Sequence, residues 1–415
     1  MLSKVNFKPA KQPLPNASRR FFVPRAAAEF NGSRNGSSHG HDVVALGNLC
    51  LDVVLPFDKL PGDEFADRDV VIDVNTKREI VESWLANPSD ESAWEVGGAT
   101  NFLLAGSRLG LRTASVGHVG DDVFGQFLLD VLKEEDVDFR RLALDDYGFN
   151  GDDYRHLLLG STLICFVLVD PEHRHAFCSQ YDIQPGPIFD ENTLVPPETE
   201  TALKETKCLF LNGYSFDECS PGYIIKTCET VKNAGGSIFF DPGPRCFPLL
   251  EGTRPGVEAF KEIVSMSDVL LMTKDEAQAV TGQNSAEKCA DWVLDRPGGE
   301  TKWCVVKDGK NGSLVQTKRQ KAPVCASGYQ VEVSDTVGCG DSFASAVCLG
   351  FLRGCDPQGV LALANAVGAG TATNKGAGRN VASRQKVLEI LRQSSIRAGV
   401  ESAMELIGGG QKLKL

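Results

Sequence analysis

The chain has 415 residues, 42% of them hydrophobic and 24% charged, with a formal net charge of −12. This is globular composition, long enough for one large domain, and its acidic balance speaks against nucleic acid or an anionic membrane surface as the main partner. The 13 cysteines are odd in number and include no Cys-X-X-Cys pair, so a reducing compartment fits better than a disulfide scaffold or a zinc site; without an apolar run of about 18 residues, no transmembrane helix is expected.

Residues 1–41 differ from the rest. They carry seven basic residues (Lys4, Lys8, Lys11, Arg19, Arg20, Arg25, Arg34) against one acid, Glu29, which leaves the body of the chain at −18. A basic, acid-poor leader on an acidic protein reads as an organelle transit peptide. Val23-Pro24-Arg25-Ala26-Ala27-Ala28 resembles a plastid processing region, with the chloroplast stroma as the expected destination and the mitochondrion as the alternative. A plain disordered tail is the other reading.

Val43–Asn48 and Leu51–Leu55 read as one buried strand that contains an acid, Asp52; a carboxylate inside such a run needs a reason, because burying it unpaired is costly. Pro56–Glu95 is polar and mixed, with a strand-like Val70–Val74 and a helix-like Lys77–Leu85. Val96-Gly97-Gly98-Ala99-Thr100-Asn101 opens a helix that ends at Leu109-Gly110. In Val116–Gly125, Asp121 is placed to cap a helix reaching Lys133. Leu157–Val169 is β-like and continues toward His175-Ala176-Phe177; His173, Arg174 and His175 read as solvated hairpin-tip charge or as groups meeting a ligand from above.

From Cys208 onward strands and helices alternate: Cys208–Leu211, Tyr223–Asn233, Ile238–Phe240, then Asp268–Met272 and a helix to Thr281-Gly282. Such alternation predicts a mostly parallel sheet with helices on both faces, with ligands beyond the carboxyl ends of the strands. Trp303–Lys307 and Tyr329–Val333 are the next predicted strands, followed by helices over Ser342–Leu352, Pro357–Thr373 and Arg384–Leu391 and a frayed tail around Gly408–Gly410.

The sharpest feature lies between two of these elements: Asp335-Thr336-Val337-Gly338-Cys339-Gly340-Asp341. Backbone N–H groups of Gly338, Cys339 and Gly340 at a helix start can converge on an anion, helped by the helix dipole. A carboxylate at Asp341 can act there as a general base beside developing negative charge, and Asp335 can help hold a hydrated cation. Positioning and charge stabilisation of this kind serve phosphoryl transfer.

The stretch resembles the Asp-Thr-X-Gly-Ala-Gly-Asp signature of the PfkB (ribokinase-like) family of sugar and nucleoside kinases, with Cys339 for the usual Ala. Val116–Gly125, Asp241-Pro242-Gly243-Pro244-Arg245 and the Lys307–Gly312 turn follow the family's pattern in order, over about residues 42–392. The resemblance implies a three-layer α/β sandwich with a mostly parallel central sheet and a small β lid. It divides the chain into a leader (1–41), a kinase domain (42–395, lid parts about 52–75 and 155–182) and a C-terminal tail (396–415). It implies ATP- and Mg²⁺-dependent phosphorylation of a hydroxymethyl group on a sugar or nucleoside, with K⁺ near Asp335 as a further family trait and a homodimer through the lid as a possible assembly. In that reading Asp341 is the base, and Gly338, Cys339 and Gly340 stabilise charge. Asp52, Gly98 and Asn101 meet substrate, and Glu276 and Asp335 organise the metal. Gly309, Gly312, Asn374, Ala377 and Gly378 hold the nucleotide. Lys307 stands where many members carry Thr and either faces phosphate or is a solvated strand-end lysine. The chain departs from the pattern at Thr273, where the family has Asn, in the shortened Gly98–Asn101 link, and in the long 56–95 insert. Cys339 is either a small apolar stand-in or a thiol activated by the helix start. Substrate class stays open between a fructose- or ribose-type sugar and a nucleoside, and a non-catalytic protein on the same fold is the third reading.

Overall fold

The protein is described here by a computed structural model covering residues 40–408 except 59, 61–71, 87, 90, 143–160, 172–174, 180–186 and 253. Residues 1–39 of the leader, Val70 and Val71, the start of the segment at Leu157, and His173 and Arg174 lie outside the described residues.

The strands are β1 Val43–Leu46, β2 Cys50–Pro56, β3 Trp94–Val96, β4 Thr113–Gly117, β5 Val137–Arg141, β6 Leu163–Val169, β7 His175–Ser179, β8 Cys208–Asn212, β9 Ser237–Asp241, β10 Val269–Thr273, β11 Trp303–Lys307, β12 Ser313–Thr317 and β13 Gln320–Ala326. Nine of them form one sheet in the order β13-β12-β11-β10-β9-β8-β1-β4-β5. From β5 across to β11 the neighbours are parallel, and β12 and β13 turn back antiparallel. The inner strands are apolar on both faces, as parallel strands sandwiched between helices must be. Alternation sends Val43 and Ala45, Phe210, Phe239 and Leu271 to one core, and Val44 and Leu46, Leu209, Phe240 and Met272 to the other. Helices Thr100–Arg108, Cys339–Leu352 and Pro357–Ala372 cover the first face, and Pro221–Asn233 and Arg254–Met266 the second. The expected three-layer sandwich is what forms. No helix among the described residues is long and apolar enough to cross a membrane.

The second sheet, β3-β2-β6-β7, is the lid. Residues Glu95, Asp52, Cys165 and Ser179 fall in one register row and so share a face, while Trp94, Val53 and Phe166 share the other. The second face is covered by the chain's own helices: Trp84 of Val74–Ala86 meets Phe166 edge-on at 5.3 Å, and Trp94 meets Phe124 and Phe127 of Val123–Glu134 at 4.9 and 5.7 Å. The part of the 56–95 insert that is described thus covers the lid, with Val74 opening a helix where a strand was expected.

Four local readings change. The run from Asp42 to Leu55 is two strands in different sheets, because Gly47-Asn48-Leu49 turns the chain out of the large sheet: Leu49 N–H donates to the His118 carbonyl at 3.0 Å and Asn48 N–H to the Glu218 carboxylate at 2.6 Å. Burial pushes Glu218 up to about 8. Tyr329–Val333 is not a strand: β13 is the sheet's edge strand among the described residues, and beyond it the chain leaves the sheet, with Ser334 N–H reaching the Ala372 carbonyl. The segment read as a tail contains a helix, Val400–Gly408, that buries Val400, Ala403, Met404 and Ile407, an i, i+3, i+4, i+7 stripe packed against Pro357–Ala372.

The fourth change concerns the helix at Val123, which is capped by Asp122 and not by Asp121. Asp122 accepts from Gly125 N–H at 2.7 Å, and also from Thr162 N–H and Oγ1 at 2.7 and 2.6 Å at the entry to β6. Asp122→Ala therefore removes a cap and the lid's anchorage together. It should cost more than the roughly 1–2 kcal/mol of a cap alone, read from the urea midpoint at unchanged slope, while Asp121→Ala should lie within about 0.5 kcal/mol of wild type.

Candidate active site

Helix Cys339–Leu352 starts on Gly338, whose φ of 75° is left-handed and costs little only for glycine. One of the three amides expected to be open is engaged within the turn. Cys339 N–H donates to the Thr336 carbonyl at 3.2 Å, so that donor is closed. Gly340 and Asp341 lie in the first turn, where backbone N–H groups have no intrahelical acceptor. Lys307 Nζ approaches the same turn, 3.6 Å from where a Cβ on Gly340 would be. A buried ammonium and a helix start thus concentrate positive potential at one spot.

Lys307 is at the end of β11 and is not a solvated lysine. Its Nζ lies 2.5 Å from Asp241 Oδ2, with the side chains 13% and 8% exposed. Burial works against its charge, but Asp241 and Glu276 outweigh it and raise its pKa. Asp241, at the end of β9, is the site residue that was not singled out from the sequence, although its Asp-Pro-X-Pro-Arg string was noticed. Its second oxygen, Oδ1, is buried without a hydrogen-bond partner, which points to something absent from the protein itself.

Asp341 stands beside this cluster. Burial and the Asp241 charge push its carboxyl up to about 7, against the pull of Lys307 and of a hydrogen bond from Asn101. Asn101 is itself buried, and its Oδ1 accepts from Gly378 N–H at 2.8 Å. Asn101, expected at the substrate, is thus held between Gly378 and the carboxyl group of Asp341. Asp52, on the lid face toward the cleft, is buried; desolvation, Asp341 and Glu95 push it up to about 7 against a contact from the Cys50 thiol. Its place requires Gly97, where a Cβ would lie 2.0 Å from Asp52 Oδ1. Gly98, the glycine chosen from the sequence, has φ 58° and packs beside Cys50.

Glu276 forms a capping box with Thr273: Glu276 Oε2 accepts from Thr273 N–H at 2.7 Å, and Thr273 Oγ1 accepts from Glu276 N–H at 3.3 Å. Thr273 therefore keeps the carboxylate placed despite replacing Asn. Burial raises the Glu276 pKa, Lys307 lowers it and Asp241 raises it again, so Glu276 belongs to the Lys307 cluster. Asp335 does not: its Oδ1 accepts from Val337 N–H at 2.9 Å and lies 3.1 Å from His175 Nε2, and its Oδ2 accepts from Gly376 N–H at 2.9 Å. Burial opposes its charge, yet His175 and these amides hold its pKa below the usual carboxylate range. His175, read as solvated tip charge, is buried. Among the described residues no group of three or more His, Cys, Asp or Glu is set to hold a metal. The open oxygen of Asp241 beside Glu276 fits a hydrated ion held through water and phosphate, the usual manner of Mg²⁺.

The expected nucleotide residues separate. Gly309 and Gly312 make the turn after β11, and Gly312 lies flush on the Ala326 carbonyl. Asn374 closes its own loop, Nδ2 to the Asn380 carbonyl at 2.7 Å. Ala377 packs against Gly338, and Gly378 against Glu95 and Val96 of β3. Ala377 and Gly378 are thus spacers between the phosphate-type turn and the lid. Cys339 is not activated: burial, with Asp335 and Asp341, pushes its thiol up to about 12, so it serves as a small apolar residue.

A carboxyl at a helix start, a buried cation beside it and a second carboxyl on the lid are groups that a phosphotransferase with an alcohol acceptor can use. The family comparison agrees. The model of the pfkB family of carbohydrate kinases matches residues 72–151 and 159–384, and the chain belongs to that family. Probable fructokinase-5 of Arabidopsis thaliana is 29% identical over 290 residues, 68% of this chain and 83% of that protein. Probable fructokinase-2 of the same plant is 30% identical over 297 residues, 68% and 82% of the two chains. Among solved structures, an Arabidopsis thaliana ribokinase complexed with ribose and ATP superposes with a TM-score of 0.61 at 19% identity, covering 86% of this chain and all of that one. A putative ribokinase II from E. coli in complex with ATP and Mg²⁺ gives 0.62 at 20%, covering 85% and 100%. At these identities the structures speak for the fold.

Proposed function

We propose that this ATP-dependent sugar kinase phosphorylates a hydroxymethyl group of a small sugar of the fructose or ribose type. The observation that carries the reading is the shared cleft of Asp341, Lys307 and Asp52. Asp52 accepts from acceptor hydroxyls and aims one at Asp341. Asp341 takes that hydroxyl's proton as the oxygen attacks the terminal phosphorus of ATP, and the bond from that phosphorus to the bridging oxygen breaks to release ADP. The Gly340 turn and Lys307 hold the charge that accumulates on the transferred group. Glu276 and Asp241 are the residues that would hold hydrated Mg²⁺, which would supply charge neutralisation for the nucleotide's phosphates. A K⁺ ion at Asp335 has less support, since both oxygens of that carboxylate are engaged.

Two other readings have specific support. Adenosine kinase from Sinorhizobium meliloti shares the fold at a TM-score of 0.61, which keeps a nucleoside acceptor in view, and the closed Cys339 amide is the feature that suits a non-catalytic relative. One experiment separates the three. Purified chain lacking residues 1–41 is given ATP, Mg²⁺ and, in turn, fructose, ribose, other hexoses and four nucleosides. Sugar-dependent ADP release supports the proposal, nucleoside-dependent release supports the second reading, and release with none supports the third. With the preferred acceptor, Asp52→Asn should raise its KM about 10–100-fold, the worth of a hydrogen bond to a charged group, and leave the KM for ATP within about twofold.

The composition of the leader supports delivery to a plastid, with the mitochondrion as the alternative; import of a leader fusion by the two isolated organelles decides between them. A homodimer through the lid has mainly the lid's edges to use, because Trp84 and its neighbours already cover the outer face; sedimentation at micromolar concentration tests it.

A further inference from the structure

We infer that His175 is a positioning residue: it latches the lid to the phosphate-binding turn, so that the turn is set for the nucleotide only when the lid is down over the acceptor. The inference rests on the kinase reading and extends it to how the two halves of the site are coupled.

The lid register places His175 opposite Val169 and Pro56, while Asp52 lies opposite Cys165 and Ser179. These rows are four residues apart, so His175 and Asp52 project from the same face of the lid. The lid that presents Asp52 to the acceptor therefore presents His175 to the loop that precedes Gly338. There His175 Nε2 is 3.1 Å from Asp335 Oδ1, both side chains 8% exposed. Breaking it takes from the buried carboxylate its one side-chain partner in the lid and leaves only the backbone N–H groups of Val337 and Gly376.

Asp335 is the junction through which the contact acts. The same carboxylate accepts from Val337 N–H, one residue before Gly338, and from Gly376 N–H. The Gly376 loop carries Ala377, which packs on Gly338, and Gly378, whose N–H holds Asn101 beside Asp341. The other side of the lid grips this loop as well: Glu95 of β3 pairs with Arg379 at 3.1 Å and accepts from its backbone N–H at 3.0 Å. The loop 374–380 is thus pinned to the lid by Glu95 at one edge and by His175, through Asp335, at the other. Lid position and the setting of both the anion turn and the base are joined on a short path by the His175–Asp335 contact and by the backbone hydrogen bonds that Asp335 and Asn101 accept. Nothing in this path requires His175 to touch substrate or nucleotide.

The test is a linkage measurement, since a coupling between two sites is read in binding. Affinity for a non-hydrolysable ATP analogue with Mg²⁺ is measured by calorimetry with and without saturating fructose, or whichever panel sugar is turned over fastest. This is done for wild type, His175→Ala and His175→Gln. The expected result is that the sugar tightens nucleotide binding several-fold in wild type. In His175→Ala the sugar should have no effect, with sugar-free nucleotide affinity unchanged and kcat down about 10-fold or more. His175→Gln, whose amide N–H can reach Asp335, should recover part of the coupling. Thermal unfolding of each variant controls for loss of fold, and the Gln variant carries the test if the Ala variant does not fold. Undiminished coupling in His175→Ala overturns the latch, as does an equal loss of nucleotide affinity with and without sugar, the mark of a merely structural role. A wild type that phosphorylates the sugar without any coupling also overturns it while leaving the kinase reading intact. A wild type that turns over no acceptor overturns the kinase reading and the latch with it.

Discussion

Asp341→Asn should lower kcat by about 10²–10⁴-fold, the span of a positioned general base, with little change in nucleotide affinity. The amide keeps the shape of the side chain and can still bond to Asn101 but cannot take a proton. The wild-type pH profile should show the same group. With Asp341 pushed up to about 7 by burial and Asp241, the base is ionised above that pH and blocked below it. The acceptor kcat/KM should therefore fall about tenfold per pH unit on the acid side of about 7, and this limb should vanish in the residual activity of the Asn variant. Stability runs in the opposite sense. A carboxyl whose pKa is higher folded than unfolded contributes stability that is complete below the ordinary carboxylate range and lost as pH rises through about 7. Asp341→Asn should accordingly unfold at a higher temperature than wild type at pH 8 and lose that advantage at pH 4. A variant that keeps more than a tenth of wild-type kcat would remove Asp341 from the chemistry.

Lys307→Met should be nearly as damaging, by a different route. Its ammonium is the partner of Asp241 at 2.5 Å and lowers the pKa of both Glu276 and Asp341. Met fills similar space without charge. Three effects should follow together: kcat falls about 10²–10³-fold as a fixed cation leaves the developing charge, stability falls about 3–5 kcal/mol as a buried carboxylate loses its partner, and the acid limb of the pH profile moves above 7. Arg at this position should not restore activity, because its planar fork cannot take the place of a compact ammonium. If the folded fraction of Lys307→Met turned over at the wild-type rate, the lysine would be only a structural counter-ion.

Much of this was legible in the sequence because it is local. Apolar runs of strand length separated by helical periods specify the parallel sheet, and a Gly-X-Gly turn followed by an acid specifies a helix start with a base on it. Misreadings arose where the partner is distant in sequence. Asp52 and Asp341, singled out far apart in the sequence, do come together, but nothing near Asn101 announces that Gly378 will claim its oxygen. Asp241 was passed over because its value comes from Lys307, brought alongside by two neighbouring sheet crossovers. His175 sits in a segment whose charges look solvated until β6 and β7 place it on the face of Asp52. Asp121 and Asp122 are indistinguishable by composition, and only the approach of Thr162 shows which one caps. The strand expected at Tyr329–Val333 failed for the reverse reason: the residue types suit a strand, but a strand needs a neighbour.

The helix Val400–Gly408 bears on how the molecule is made. It lies against Pro357–Ala372, and its terminal carbonyls accept from Arg353 and Arg384. Those contacts shield the inner helices whose far ends carry the catalytic turn and the loop after Ala372. At the other extreme, β1 is translated first yet has β8 beside it, more than 150 residues later. Strand β1 thus finds one of its two neighbours only in the second half of the sequence, and the helix Val400–Gly408 closes the floor under the cleft, so the site is whole only when segments from both ends of the described residues have docked.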